Sequence, residues 1–306
     1  MNDLSQYFHA QRMQLLDFMS MDTAGLSVDA IKERLLGFYS SYNVMTANLE
    51  STRVYRVRRI DSGTVHTKCA DVWHPPAEHV TKIGRANDIG QAMFYCSLDP
   101  QTAIDETQIQ EGERFSLAIY QLSGRDPYDA RSIVIKETKP IPGNAVEFSR
   151  FGSELSRFMV NEFTRPVSEG NEHHYKRSCA IAQILLELPH KDSLVYPSVR
   201  NSEAINVVYT SEAAAETLAV VHVATCEMEK DRAVRVDKLW LPDAKGSLIA
   251  QPLPHPMPAP LRFADSPPKF SDLFYDSKIA TPEEIANYHL ANKSIQRTSL
   301  RDTADL

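Results

Sequence analysis

The sequence predicts an α+β fold around a mostly antiparallel sheet, and three observations lead there. Segments with the alternation or short apolar runs of strands outnumber segments with helical periodicity. The two kinds do not alternate regularly, which argues against the strand–helix–strand pattern of a parallel sheet. The 306 residues, 42% hydrophobic and 24% charged, suffice for a packed core in one large domain or two small ones.

The first 50 residues read as a helical extension. One helix is expected from Leu4 to Met19, and a second, capped by Ser27, runs through Tyr39. Val28, Ile31, Leu35 and Phe38 form its apolar stripe, which is expected to dock on its own domain. Val54–Arg59 reads as a strand with Arg56 and Arg58 on one face and Tyr55 and Val57 on the other. Residues 61–91 are loop-rich, and Trp73-His74-Pro75-Pro76 within them suits the wall or lid of a ligand site. A strand at Ala92–Leu98 follows, then a short helix. Further strands are expected at Phe115–Leu122 and Ser132–Lys136, before Pro140 and Pro142 break the pattern. Helices at Val146–Phe163 and Tyr175–Leu188 show apolar spacing at Phe148, Phe151, Leu155 and Phe158 and at Ile181, Ile184, Leu185 and Leu188. Then come a strand at Ile205–Tyr209, a helix from Ser211 to Leu218, and strands at Val220–Cys226 and Ala233–Trp240. Proline is frequent and periodicity vanishes from Pro242 to Pro268, as in a linker or wrapping arm. Thr281-Pro282-Glu283-Glu284 is a capping-box signature for a late helix to about Asn292. The organisation expected is an extension over 1–50, a central domain over 51–241 and a proline-rich arm with one late helix over 242–306.

The formal net charge of -7 weighs against direct nucleic-acid binding, which needs a basic surface. No apolar run approaches membrane-spanning length, and the start lacks a signal peptide's layout. The four cysteines, Cys69, Cys96, Cys179 and Cys226, show no paired spacing, so a reducing cytoplasm is the expected compartment. His173-His174 has no accompanying ligand pattern, so no metal is expected. Gly84 to Gly90 has neither the spacing nor the following helix of a dinucleotide fingerprint.

The chemistry concentrates between Gly84 and Glu106. A polar loop, Gly84-Arg85-Ala86-Asn87, leads to the strand. There Phe94, Cys96 and Leu98 are expected to face the core, and Met93, Tyr95 and Ser97 the other side. Asp99 is a good N-cap and Pro100 suits the first helical position, where its missing N–H costs nothing. Ile104 anchors the helix, and Glu106 lies two residues on, roughly opposite. One unit thus supplies an arginine, a phenol and a carboxylate.

This unit resembles the RES-domain family, whose pattern runs Gly-Arg-x-Asn, a strand with a tyrosine, and a short helix with a glutamate: here Arg85, Tyr95 and Glu106. Val54-Tyr55-Arg56-Val57-Arg58 looks like the family's opening strand, and Tyr196-Pro197-Ser198-Val199-Arg200 followed by Asn206-Val207-Val208-Tyr209 like its serine segment and closing strand. The resemblance covers roughly Arg53 to Leu218. It implies a two-sheet core like that of the ADP-ribosyltransferases, with flanking helices and NAD in the cleft. It also implies a toxin that cleaves NAD at the nicotinamide–ribose bond, by water or by phosphate as co-substrate, and is restrained by a cognate antitoxin. No cofactor beyond NAD as substrate is implied. The two extensions depart from the short toxins of the family and could serve self-inhibition or homo-oligomer formation.

With NAD as the ligand, Arg56 and Arg85 are the candidates for its diphosphate. Glu106 is the candidate to stabilise the oxocarbenium ion that forms as the neutral nicotinamide leaves. Tyr95 could wall the nicotinamide, Ser198 could bond its ribose or amide, and Asn87 could shape the loop. Two rivals stand beside this reading. One is ADP-ribosyl transfer to a macromolecule, disfavoured for arginine acceptors because Ile104 occupies the position of their second acidic residue. The other is a non-catalytic nucleotide- or partner-binding module.

Overall fold

The computed structural model describes residues 3–39, 45–49, 53–122, 131–135, 137, 146–187, 191–253 and 263. Its strands are β1 (Met45–Asn48), β2 (Arg53–Arg59), β3 (Met93–Ser97), β4 (Arg114–Leu122), β5 (Arg131–Val134), β6 (Lys191–Pro197), β7 (Ile205–Thr210), β8 (Leu218–Met228), β9 (Val234–Pro242) and β10 (Leu248–Gln251). Its α-helices are α1 (Asp3–Ser20), α2 (Val28–Tyr39), α3 (Pro100–Thr107), α4 (Val146–Thr164), α5 (Tyr175–Leu186) and α6 (Ser211–Thr217).

The α+β class holds, but the strands form one hydrogen-bonded sheet rather than two, in the order β1-β5-β6-β7-β3-β2-β4-β8-β9-β10. Every neighbouring pair is antiparallel except β5 with β6. The sheet is pinched at its centre. β2 pairs with β4 along its whole length, from Arg53↔Gln121 to Arg59↔Phe115, but meets β3 only at Tyr55↔Ser97.

Local chemistry explains most boundaries. Ser27 Oγ accepts the Ala30 amide at 3.1 Å and starts α2. Asp99 accepts the Thr102 amide at 2.8 Å with Pro100 at the head of α3. The cap of α6 is Thr210 rather than Ser211: its hydroxyl accepts the Ala213 amide at 3.1 Å while its backbone is still extended. Three strands escape the sequence reading, β6 and two short ones. β1 lies within the stretch expected to be helical, and β10 within the stretch expected to be irregular. β10 returns on β9 through a turn in which Asp243 accepts the Lys245 and Ser247 amides and Gly246 has φ +77°. The helix expected at Thr281–Asn292, Pro140, Pro142, Leu188 and most of the proline-rich arm lie outside the described residues.

Both faces of the central sheet are buried, which corrects the expectation of one core face on β3. Phe94, Cys96 and Leu98 pack with Val54, Tyr120, Val207 and Tyr209 on one side, where Trp73 and α6 cover them. On the other side two separate clusters form. Met93, Tyr95, Leu194, Tyr196 and Val208 lie beneath α4 and α5, and Phe8, Leu15, Phe18, Ile31 and Leu35 of α1 and α2 belong to the same core. Tyr55, Val57, Phe115, Leu117, Ala224 and Cys226 lie beneath Ile104 of α3. No described helix is long and apolar enough to cross a membrane.

The N-terminal helices are held by charge as well as by packing. Arg177 of α5, 7% exposed, donates to the carbonyls of Phe18, Met19 and Met21 at the end of α1 and to Glu162 Oε1 of α4 at 3.3 Å. The cation sits where the exhausted helix carbonyls concentrate negative potential. Replacing it leaves Glu162, 4% exposed, with only Arg165 for a partner. Arg177→Met is expected to lose about 3–5 kcal/mol of stability, measured by urea denaturation; a loss below about 1 kcal/mol would remove this pair from the structural frame.

His66 gives a pH prediction. Its ring is 3% exposed, lies edge-on to Trp240 and leaves Nε2 buried with no hydrogen-bond partner. Burial holds its pKa below the ordinary 6.5, with Asp71 opposing and Arg58 reinforcing the shift. The folded state therefore favours neutral imidazole. Its contribution is complete above about 6.5, where the unfolded chain also carries it neutral, and is lost as pH falls through the depressed folded value. The melting temperature of His66→Phe should fall less between pH 7.5 and 5.5 than that of the parent protein.

Candidate active site

The register of the strands sets a polar seam between the two clusters that share one face of the sheet. Directly opposed residues in adjacent strands share a face. The pairs Tyr196↔Asn206, Asn206↔Ser97 and Ser97↔Tyr55 therefore form one row across β6, β7, β3 and β2. Ser97 and Asn206 are buried and bond each other, Oγ to Oδ1, at 2.6 Å. This fixes the amide so that its Nδ2 points onward, and it donates to Glu106 Oε1 at 2.7 Å.

Glu106 arrives at the seam on the last turn of α3, which Asp99 and Pro100 start immediately beyond β3. Ile104 is fully buried against Phe115 and Leu117, so the helix is locked in rotation and Glu106 emerges half-buried. Three donors converge on its Oε1: Asn206 Nδ2, Ser198 Oγ at 2.5 Å and the Val199 amide at 3.2 Å. Oε2 accepts no hydrogen bond among the described residues. One carboxylate oxygen is thus fixed and the other left for a ligand.

Ser198 is buried, and its hydroxyl is fully used. It donates to Glu106 and accepts the Arg200 and Asn201 amides at 3.0 and 3.4 Å. It acts in the turn after β6 as a clamp on the carboxylate, and that turn gives it no base for nucleophilic attack.

Arg85, Tyr95 and Asn87 form a second group. The Tyr95 hydroxyl accepts the Ala86 amide at 2.9 Å and donates to Asn87 Oδ1 at 2.8 Å. Burial raises its pKa above the ordinary phenol value, so it stays protonated. The loop closes tightly around this pair: a Cβ on Gly84 would stand 2.3 Å from Asn87 Oδ1 and 3.2 Å from the phenol oxygen. Arg85 extends away to the end of α4. It donates to the carbonyls of Glu162 at 3.3 Å, of Phe163, and of Arg165 at 3.2 Å, with its guanidinium 5.1 Å from the Tyr175 ring centre. These donors serve the helix terminus first.

Arg56 occupies the pinch. Its register places it on the sheet face of Phe94 and Cys96, opposite to the seam, with its guanidinium 5.4 Å from the Phe94 ring centre. Nη1 donates at 2.9 Å to the Tyr95 carbonyl, which the parting of β2 from β3 leaves without a ladder partner. Burial lowers its pKa, Nε is buried without a partner, and no described carboxylate pairs with it.

The structure therefore brings Glu106 and Ser198 into contact, groups Arg85 and Asn87 of one loop with Tyr95 of β3, and sets Arg56 at the junction of the two sheet halves. Sequence reasoning missed Asn206, Ser97 and Tyr196. A signal for the first was present: Asn206 is an amide among Ile205, Val207 and Val208, all buried. His173 and His174 stack at 4.1 Å on the turn that leads into α5. Among the described residues no group of three or more His, Cys, Asp or Glu side chains is arranged to hold a metal ion.

No curated protein matches the chain. The family model of the RES domain matches residues 53–237, more than half of the chain, and spans every strand from β2 to β8, the start of β9, and both polar groups. The chain belongs to the RES-domain family.

Proposed function

We propose that this protein cleaves NAD at the nicotinamide–ribose bond, with Glu106 as the catalytic carboxylate. The family is linked to NAD-related activity in toxin–antitoxin systems. The observation that carries the reading is Glu106 itself: Oε1 is held by Ser198, Val199 and Asn206, and Oε2 is free to meet a ligand. A carboxylate fixed before the substrate arrives need not reorganise as charge develops.

The chemistry asks little more. The bond from ribose C1′ to the pyridinium nitrogen breaks with both electrons going to the ring, so nicotinamide departs neutral and no acid is needed. The sugar becomes an oxocarbenium ion, which the Oε2 charge stabilises from close range. A water or a phosphate adds to C1′ from the open face; with water, one proton passes to solvent. Arg56, which no described carboxylate neutralises, carries its charge at the pinch on the sheet face opposite Glu106 and is the candidate for the diphosphate where β2 and β3 part. Tyr95 and Asn87 shape the loop that carries Arg85, and Arg85 braces the end of α4, leaving it a supporting part in diphosphate binding.

ADP-ribosyl transfer to a protein shares these steps and differs in the acceptor. Ile104, fully buried beneath α3, weighs against the arginine-directed form. Depletion of NAD in the cytoplasm, with an antitoxin as the restraining partner, is the biological role that fits this chemistry.

Chromatography of reactions with NAD, with and without phosphate, tests the proposal. Nicotinamide release is expected, and Glu106→Gln should lower kcat by about 10²- to 10³-fold with the fold intact. A phosphate requirement would identify the acceptor. Intact NAD after incubation with folded protein would sink the reading. Ser198→Ala and Asn206→Ala, each removing one donor to Oε1, should each lower kcat roughly 3- to 30-fold, given the usual worth of a bond to a charged group. Unchanged kcat in both would mean that Glu106 does not depend on its clamp.

A further inference from the structure

Tyr196 stands at the end of the polar row, directly across from Asn206. It is 5% exposed, and its ring lies 5.2 Å from that of Phe163 at 58°. The hydroxyl of its neighbour Tyr95 is used: it bonds Asn87 and the Ala86 amide. No hydrogen bond of the Tyr196 hydroxyl is found among the described residues, and its oxygen is not one of the fully buried atoms left without a partner, so it keeps an edge open to solvent. It lies within electrostatic reach of Arg85 and of Glu106, the charged members of the two polar groups. Burial keeps it protonated, so it is a donor and never a phenolate under ordinary conditions.

A phenol whose ring is buried while its unbonded hydroxyl keeps an open edge is placed to donate to a ligand there. The acceptor must fit a place flanked by Glu106 on one side and by the Tyr95 loop on the other. Beside Glu106 the ribose carbon belongs, by the mechanism above. The next group along the dinucleotide is then a flat ring bearing a carboxamide. The Tyr196 ring, backed by the fully buried Phe163, offers an aromatic edge for the ring, and the hydroxyl offers one donor for the amide oxygen.

We propose that Tyr196 is the specificity residue for the nicotinamide end of NAD, donating its phenolic hydrogen to the carboxamide oxygen. This rests on the NAD reading above. It assigns to Tyr196 the wall function that the sequence pattern suggests for Tyr95, whose hydroxyl is occupied within its own loop.

Tyr196→Phe keeps the ring against Phe163 and deletes only the donor. Steady-state nicotinamide release by this variant is expected to show KM for NAD raised roughly 3- to 10-fold, the worth of one hydrogen bond, with kcat within about twofold. Product inhibition by free nicotinamide should weaken by the same factor, and the melting temperature should not move. A purely structural tyrosine would move the melting temperature and leave nicotinamide inhibition alone. Unchanged KM, or unchanged inhibition by nicotinamide, in the Phe variant of a protein that does cleave NAD would overturn the assignment by itself. Absence of nicotinamide release from the parent protein would remove the NAD reading, and the assignment with it.

Discussion

Tyr55 and Ser97 form the one pair through which β2 meets β3, and the functional region follows from that pinch. Where two strands part, main-chain groups lose their ladder partners. The Tyr95 carbonyl, freed in this way, is taken by Arg56. On the other face the apolar clusters under α4–α5 and under α3 stop short of each other, and Ser97 and Asn206 fill the interval. Polar side chains at such depth are tolerated only when bonded. The chain of bonds from Ser97 through Asn206 to Glu106 satisfies them and holds the carboxylate at once.

Arginine has a second task in this fold. Arg85 and Arg177 each donate to the spent carbonyls at the end of a helix, α4 and α1 respectively. Glu162 joins them: its carbonyl receives Arg85 and its carboxylate receives Arg177. The N-terminal helices are thereby tied, through buried charge and a shared core, to the loop that carries Arg85. Such a connection gives the segment preceding the family match a structural part in the shape of the site.

Much of this was legible in the sequence because it is local. Asp99 followed by Pro100 announces a helix start whatever surrounds it, and the Ile104–Glu106 spacing orients the carboxylate away from the core. Ser198 was singled out beside Glu106 through the family pattern, and the contact at 2.5 Å places the two together. What was not legible depends on register. Nothing in Ile205–Tyr209 says that Asn206 will face Ser97, and nothing in β6 says that Tyr196 will stand beside both. The single sheet, in place of two, escaped for the same reason, since one residue pair decides it. β1 and β10, of four residues each, are too short to carry a period. The donors of Arg85 read as free in the sequence, whereas the end of α4, far along the chain, occupies them.

In the proposed complex the reacting sugar lies at Oε2 of Glu106 while Oε1 stays bonded to Ser198, Val199 and Asn206. A crystal structure of the Glu106→Gln protein with NAD bound tests that placement directly. The nicotinamide ribose is expected against the free end of residue 106, with the three donors still in place. A dinucleotide seated away from the Ser97–Asn206 row, or a site that binds only after those donors let go, would contradict it.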